Sequence, residues 1–330
     1  MSTEAGLGAA PAAPGPATGP PSPDGRRRRT LSRADARAGL ALISPTLVIV
    51  LVMVVLPILW TVLLAFQRLR LLNLRTSGLF GNFTLNNFDN VFGSAAFWGS
   101  LGTTLVYSVL GTAAAIGVGL VAALALRAPF RGRNLVRAAM LLPYVTPIVA
   151  VTFAWKTMLN PQFGVANHWG TRLLGWDSPI AFLSEGRTVL GIPVALLTVI
   201  GFEAWRSFPF AFLFLTARLQ AVPGTLEEAA LVDGATISQR FRYVLLPQLL
   251  PTIAVLAVLR FIWTFNSFDD IYLLTGGGAG TEVISVSVFN SLTARGDIGG
   301  AAAQALVLAA ILAVLVGLYL WKLAPREERS

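Results

Sequence analysis

An all-α integral membrane protein with six transmembrane helices is the fold class this sequence predicts, and three observations predict it. The 330 residues are 55% hydrophobic and only 12% charged, with a mean hydropathy of +0.69. Soluble domains devote about a quarter of their residues to charge, so a water-soluble enzyme of this length is excluded. The apolar residues also fall in runs, each near the roughly 20 residues a helix needs to cross hydrocarbon. Finally, the basic residues sit in short blocks between those runs. That arrangement sets topology in a bilayer and argues against nucleic acid as a partner.

Residues 1–25 hold six prolines among Ala, Gly, Ser and Thr without apolar periodicity, a composition that buries no core. Residues 1–38 are therefore expected to be a disordered cytoplasmic tail. Its arginine-rich end is Arg26–Arg29 with Arg33 and Arg37. Arg28-Arg29-Thr30-Leu31 has a faint likeness to a twin-arginine export signal. The run after it is too long for a signal core, and further runs follow. Residues 39–330 form the expected transmembrane domain.

The first run is Gly39–Phe66, with kinks expected at Pro45 and Pro57. The second, Leu101–Leu126, carries no charge. Within it Gly111, Ala115 and Gly119 recur every fourth residue, making one face small enough for close helix packing. The third, Leu135–Met158, contains Pro143 and Pro147, and the fourth, Leu190–Ala217, is interrupted by Glu203 and Arg206. The fifth, Leu249–Leu274, contains Arg260, Asp269 and Asp270; the sixth is Ala301–Leu320. Segments expected on the side of both termini hold 16 Lys and Arg, those on the other side 7. This asymmetry predicts cytoplasmic termini.

The connection 218–247 has a design of its own. Val222-Pro223-Gly224 breaks the fourth helix, and Thr225-Leu226-Glu227-Glu228 has the Thr-x-x-Glu form of a capping box. Ala229–Val232 continue a short apolar helix, which Asp233-Gly234 end at a left-handed position. Ala235–Tyr243 read as a second short helix, and Pro247 and Pro251 are expected to open the fifth span. Such a helix suits either a groove on a partner or the lipid surface. Its acidic polar face favours the groove, because anionic headgroups would repel it.

Glu228-Ala229-Ala230, Asp233-Gly234-Ala235, Phe241, Leu246-Pro247 and Pro251, in that spacing, resemble the EAA loop of binding-protein-dependent ABC importer permeases. The resemblance covers most of the chain after residue 38 and points to the carbohydrate-uptake, maltose-type branch. Leu85-Asn86-Asn87-Phe88 with Phe97-Trp98 is similar to that branch's outer segment. Leu273-Leu274-Thr275-Gly276-Gly277-Gly278 is similar to its glycine-rich element, with Ala279 where proline is common. The tail and the loop 160–187 match poorly.

The resemblance implies a type I ABC importer permease fold in a bacterial cytoplasmic membrane, with the coupling segment at 222–251. Glu228, Ala229, Ala230, Asp233, Gly234 and Ala235 would contact an ATPase, with Gly234 supplying the turn. The implied partners are a second, non-identical permease subunit, two cytoplasmic ATPase subunits carrying ATP and Mg, and an extracytoplasmic sugar-binding lipoprotein. Membrane lipid and a di- or oligosaccharide substrate complete the set. No cofactor is expected on this chain.

Charges inside membrane spans are costly. Glu203, Arg206 and Arg260 either pair to fix helix register or line a solute path, and the sequence leaves both readings open. Phe265–Tyr272 alternates aromatic rings with hydrogen-bonding groups. Sugars need both, although an interfacial aromatic belt has the same composition. Asn266 and Ser267 match, by resemblance, positions that contact sugar in maltose-type permeases. Asp269, Asp270 and Tyr272 join them as substrate-path candidates, as do Trp205, Ser207 and Phe210 on the fourth span.

No catalytic chemistry is expected. A nucleotide hydrolase would need G-x-x-x-x-G-K-[ST], whereas the one Lys-Thr pair, Lys156-Thr157, follows Trp155. The absence of cysteine and the single histidine, His168, exclude disulfides, thiolate metal sites and histidine clusters. Alternatives are a permease of the same family for glycerol phosphate or another polar solute, and a proton-coupled transporter using the intramembrane ion pairs. An enzyme using Asp269-Asp270 is disfavoured, because neighbours on a helix point about 100° apart.

Overall fold

The computed structural model describes residues 33–76, 81 and 83–322, with side chains from residue 41 onward. Residues 1–32 of the tail expected over 1–38 and the C-terminal residues 323–330 lie outside the described residues. The chain divides into two units, Met1–Leu56 and Pro57–Ser330. In the first, helix α1 (Arg33–Val50) leads into a π turn at Leu51–Val55. The helix thus begins within the stretch expected as tail, where Ala34, Ala36 and the arginines are good helix formers.

The second unit is helical apart from a two-residue hairpin, β1 (Thr188–Val189) with β2 (Ile192–Pro193). Its elements open with α2 (Leu56–Ala65), α3 (Asn86–Gly93) and α4 (Ala95–Ala125), then α5 (Arg133–Val145), α6 (Ile148–Met158) and α7 (Val165–Leu173). After the hairpin come α8 (Val194–Gln220), α9 (Gly224–Val232), α10 (Ile237–Arg240) and α11 (Leu246–Phe265). The series ends with α12 (Asp269–Thr275), α13 (Ile284–Thr293) and α14 (Ile298–Lys322). Among the described residues five helices are long and apolar enough to cross a membrane, and the bent pair α5–α6 makes a sixth if it counts as one span.

Several boundaries differ from the expected runs for identifiable reasons. Helix α4 starts ahead of Leu101, because Ser94 Oγ accepts the Phe97 N–H at 3.3 Å and caps it. The third run is bent by 96° between α5 and α6. Thr146, ahead of Pro147, is extended at φ −71, ψ 139, as a residue before proline prefers. Helix α8 starts at Val194, after the hairpin turn in which Leu190 and Gly191 take φ 53 and 79.

The fifth run is corrected at both ends. Its prolines do not open it: the short helix expected over Ala235–Tyr243 forms as α10 and runs on through a π turn into α11, continuous from Ile237 to Phe265. A π turn at Phe241–Leu245 absorbs Pro247, with Leu246 N–H reaching back to Phe241 O. Proline removes one N–H and crowds the carbonyl four residues earlier, and the wider turn relieves both. The span ends at Phe265 rather than Leu274, so Asp269 and Asp270 open α12 instead of lying inside the span.

Packing centres on α4 against α8. Gly111, Ala115 and Gly119 are buried on the shared face, as the small-residue spacing predicts. Phe208, Phe212, Leu215 and Leu219 of α8 close a core with Ala122, Ala123, Leu249 and Leu256. A further core holds α12 in place, with Ile271 and Leu274 packed among Tyr107, Val199, Phe202 and Val283.

Buried Asn87 stitches α3 to the chain leaving α2, its Nδ2 donating to Ala65 O at 2.8 Å and Gln67 O at 2.9 Å. Asn87→Ala takes this donor from Ala65 O and leaves Gln67 O to Leu69 N at 2.9 Å, and is expected to cost about 2 kcal/mol. A thermal melt in detergent should show the lowered midpoint, and an unchanged melt would remove this stitch from the account.

Candidate functional site

The surface segment between α8 and α11 is a helical hairpin. Pro223, at φ −59 and ψ 128, precedes α9, which starts at Gly224 with no side-chain cap. Thr225 therefore lies inside the first turn, and the expected Thr225–Glu228 capping box does not form. The box forms at Thr236 instead. There Gln239 N donates to Thr236 Oγ1 at 3.3 Å, and Thr236 N donates to Gln239 Oε1 at 2.8 Å. Thr-x-x-Gln was legible at that position as well.

Helix α9 ends as expected. Gly234 takes φ 77, Gly234 N donates to Leu231 O at 3.0 Å and Ala235 N to Ala230 O at 2.9 Å. These two bonds make a Schellman motif. Glu228, Ala229, Asp233 and Gly234 are exposed, while Ala230 and Ala235 are half-buried. Apolar side chains are bare beside them, with Val232 88% and Ile237 78% exposed.

One contact ties this hairpin to the bundle and a second joins the two helices that flank it, and sequence reasoning missed both. Arg127 grips Glu227 with both guanidinium arms, Nη1 to Oε2 at 2.7 Å and Nη2 to Oε1. Arg218 Nε donates to Gln248 O at 2.9 Å and Nη2 to Gln248 Oε1 at 3.1 Å, joining the end of α8 to α11. Nothing in the local sequence marks partners so far apart. Arg133 and Arg137 add cations at the C-terminus of α4, donating to Arg127 O and Leu126 O, both at 3.2 Å.

Deeper in the bundle, the charges within the spans meet. Glu203, Arg260 and Asp270 are 2%, 5% and 0% exposed. Arg260 Nη2 pairs with Glu203 Oε1, which also accepts from Ser207 Oγ at 3.0 Å and Thr264 Oγ1 at 3.2 Å. Arg206 Nε lies 3.2 Å from Asp270 Oδ1, and its Nη2 lies 3.8 Å from Glu203 Oε2. Asp270 Oδ2 accepts from Tyr107 OH at 3.2 Å and Ser267 Oγ at 3.4 Å. Two cations thus balance two carboxylates, joining α4, α8, α11 and the start of α12.

The cluster takes in three residues read as ion-pair candidates, Glu203, Arg206 and Arg260, and three read as substrate-path candidates, Ser207, Ser267 and Asp270. The other path candidates lie outside it. Asn266 is exposed and its Nδ2 donates to Ile262 O at 2.8 Å, closing α11; Asp269 is exposed. Trp205 stands 5.6 Å from Trp155, and Phe210 stands 4.7 Å from Phe214 and 5.1 Å from Trp263. Tyr272 stacks on Phe268 at 4.9 Å and meets Phe289 at 5.0 Å. In the glycine-rich element Ala279 takes φ 53, a value closed to a proline ring.

With this geometry in hand, comparison with known proteins is informative. Residues 115–326 match the family model described as binding-protein-dependent transport system inner membrane component. The chain is 34% identical over 286 residues to the inner membrane ABC transporter permease protein YcjO of Escherichia coli, covering 86% of this chain and 93% of that one. It is also 34% identical over 290 residues to the trehalose/maltose transport system permease protein MalF of Thermococcus litoralis, covering 87% and 94%. Among solved structures, a bacterial alginate ABC transporter in complex with alginate pentasaccharide-bound periplasmic protein superposes with a TM-score of 0.74 at 23% identity. That match covers 88% of this chain and 96% of the other. At that identity it speaks for the fold.

Proposed function

Because the chain belongs to the family of binding-protein-dependent transport system inner membrane components and is a multi-pass inner membrane protein, we propose that it is the permease subunit of an ATP-driven sugar importer. In this reading it carries a di- or oligosaccharide by alternating access. It crosses the membrane six times, with α5–α6 as one bent span and both termini cytoplasmic. A second, non-identical permease chain pairs with it. Two ATPase subunits supply ATP and Mg, and an extracytoplasmic binding lipoprotein delivers the sugar.

The observation that carries the proposal is the exposed α9–α10 hairpin. Its bare Leu231, Val232 and Ile237 flank Glu228 and Asp233, and it continues directly into α11. An ATPase cleft that grips it would move α8 and α11 together, because Arg218 and Gln248 fasten them. Asn266, Ser267, Asp269, Tyr272, Trp205 and Phe210 are the residues proposed to meet the sugar. Asp270 and Ser207, held by the charge cluster, hold the helices in register around the path.

Glu228 is exposed and makes no side-chain bond among the described residues, so Glu228→Ala should leave the melt unchanged. As a docking contact it should cost about 2 kcal/mol of coupling, read as a drop of at least tenfold in ATP-driven uptake. At Gly234 a Cβ meets nothing within 4 Å. Gly234→Ala is therefore strained by its left-handed φ alone, at about 1 kcal/mol, and should uncouple without unfolding. Wild-type uptake by either variant would remove the hairpin from the coupling path. Affinity purification from native membranes, with the co-purifying chains identified by mass spectrometry, tests the complex itself. Transport that collapses with a proton uncoupler while ATP is maintained would replace the reading with a proton-coupled one.

A further inference from the structure

At the end of the bundle away from α9, a cleft of about 790 Å³ opens between the C-terminal ends of α6 and α12, the segment 181–184 and α13. It lies apart from the buried charge cluster, and two of its walls come from the loop that the sequence left unassigned. Its polar lining is Lys156, Asn160, Ser184, Tyr272, Asn290 and Thr275, the last with its Oγ1 engaged by Ile271 O at 2.9 Å and Thr281 Oγ1 at 2.6 Å. No lining residue is acidic, and Lys156 forms no ion pair among the described residues. The side chains of Ser184 and Asn290 likewise make no hydrogen bond there, nor does the Asn160 amide nitrogen, whose Oδ1 turns back to Gln162 N and Phe163 N.

These groups fit one kind of ligand. An aromatic wall held rigid from behind, ringed by a hydroxyl and amides whose capacity is unspent, matches a sugar ring with its apolar face and its hydroxyls. Tyr272 supplies that wall, braced by Phe268 and Phe289. Few polar groups placed in such a concavity set orientation and specificity. A single unpaired ammonium with no carboxylate in the lining then favours a ligand that brings its own negative charge, since a charge-assisted hydrogen bond is stronger than a neutral one.

We infer that this cleft is a binding subsite for anionic carbohydrate, a sugar carrying a carboxylate or phosphate, with Lys156 as the group that selects the charge. The inference rests on the sugar-permease reading and deepens it: solute is sorted by charge at this end of the path before it reaches the membrane spans.

The absence of cysteine from the chain supplies the test. Ser184→Cys places a single thiol at the cleft in the assembled transporter, and Asn290→Cys places one on the opposite wall. Their rates of maleimide labelling are measured with methyl β-glucuronide and with its uncharged twin, methyl β-glucoside. The glucuronide should protect both thiols at a concentration about tenfold lower or less than the glucoside requires. Lys156→Gln should erase that difference and Lys156→Arg should keep it.

Equal protection by the two sugars, protection by neither, or a preference that survives Lys156→Gln would each overturn the inference. So would slowed labelling in phosphatidylglycerol vesicles relative to phosphatidylcholine without added sugar, which would make an anionic lipid headgroup the occupant. Labelling requires no ATP hydrolysis. A chain that protects its thiols but shows no ATP-driven uptake would therefore fail as an importer subunit while keeping this site.

Discussion

Gly119→Val is expected to prevent α4 and α8 from seating against each other, at a cost of about 3 kcal/mol or more. A Cβ at this position would stand 2.7 Å from Ala211 Cβ, 2.9 Å from Phe212 N and 3.0 Å from Phe208 O. Two of those three atoms are backbone, so no rotamer change relieves them; the helices must part. Parting them opens the core of Phe208, Phe212 and Leu215. Gly117 provides the control on the same helix, because a Cβ there meets nothing within 4 Å. Gly117→Ala should melt like wild type or slightly above it, since alanine is the better helix former. Ala211→Gly combined with Gly119→Val should recover only part of the loss, because the backbone contacts remain. Detergent melts of the four proteins decide the matter, and a Gly119→Val melt equal to that of Gly117→Ala would show that the helices do not meet here.

The small-residue face that makes Gly119 sensitive was legible in the sequence, as were the apolar runs, because both are properties of neighbours along a helix. What failed to show was whatever a distant residue decides. The expected fifth span runs on to Leu274 through Asn266, Ser267, Asp269 and Asp270, yet the helix stops at Phe265. The chain then turns through Asn266–Phe268, where Ser285 Oγ donates to Ser267 O at 2.6 Å and Asp270 is drawn into the cluster with Arg206 and Tyr107. Those partners come from α13, α8 and α4, so no local window contains them.

Turn chemistry failed in a different way. Thr225-x-x-Glu228 and Thr236-x-x-Gln239 are equally good capping boxes by pattern, and only the second forms. Pro223 admits the helix one residue ahead of Thr225, and that single fact decides between them. The bend between α5 and α6 shows the same limit. Pro147 marks where the run must break, but the 96° it turns through reflects packing on either side, with α6 held by the core around Val151.

Removing one member of the buried charge cluster should be more damaging than removing two. Glu203→Met leaves Arg260 5% exposed with its carboxylate gone. Stranding a buried charge costs about 3–5 kcal/mol, enough to lower the yield of folded protein. Arg260→Met should cost about as much, because Glu203 then keeps only Arg206, at 3.8 Å, as a counter-charge. The double variant, Glu203→Met with Arg260→Met, removes one charge of each sign and leaves Arg206 with Asp270 at 3.2 Å. Replacing a whole buried pair by apolar side chains is often neutral or stabilising. The double variant should therefore melt within about 1 kcal/mol of wild type, although the singles do not. A double variant whose loss equals the sum of the two single losses would mean that the two residues act independently and that the pair contributes nothing as a pair. Uptake by the folded double variant then separates the two roles the sequence left open for these charges. Charges that only set register become dispensable once apolar packing sets it instead, so transport persists; charges that line the solute path take transport with them when they go, whatever the melt says.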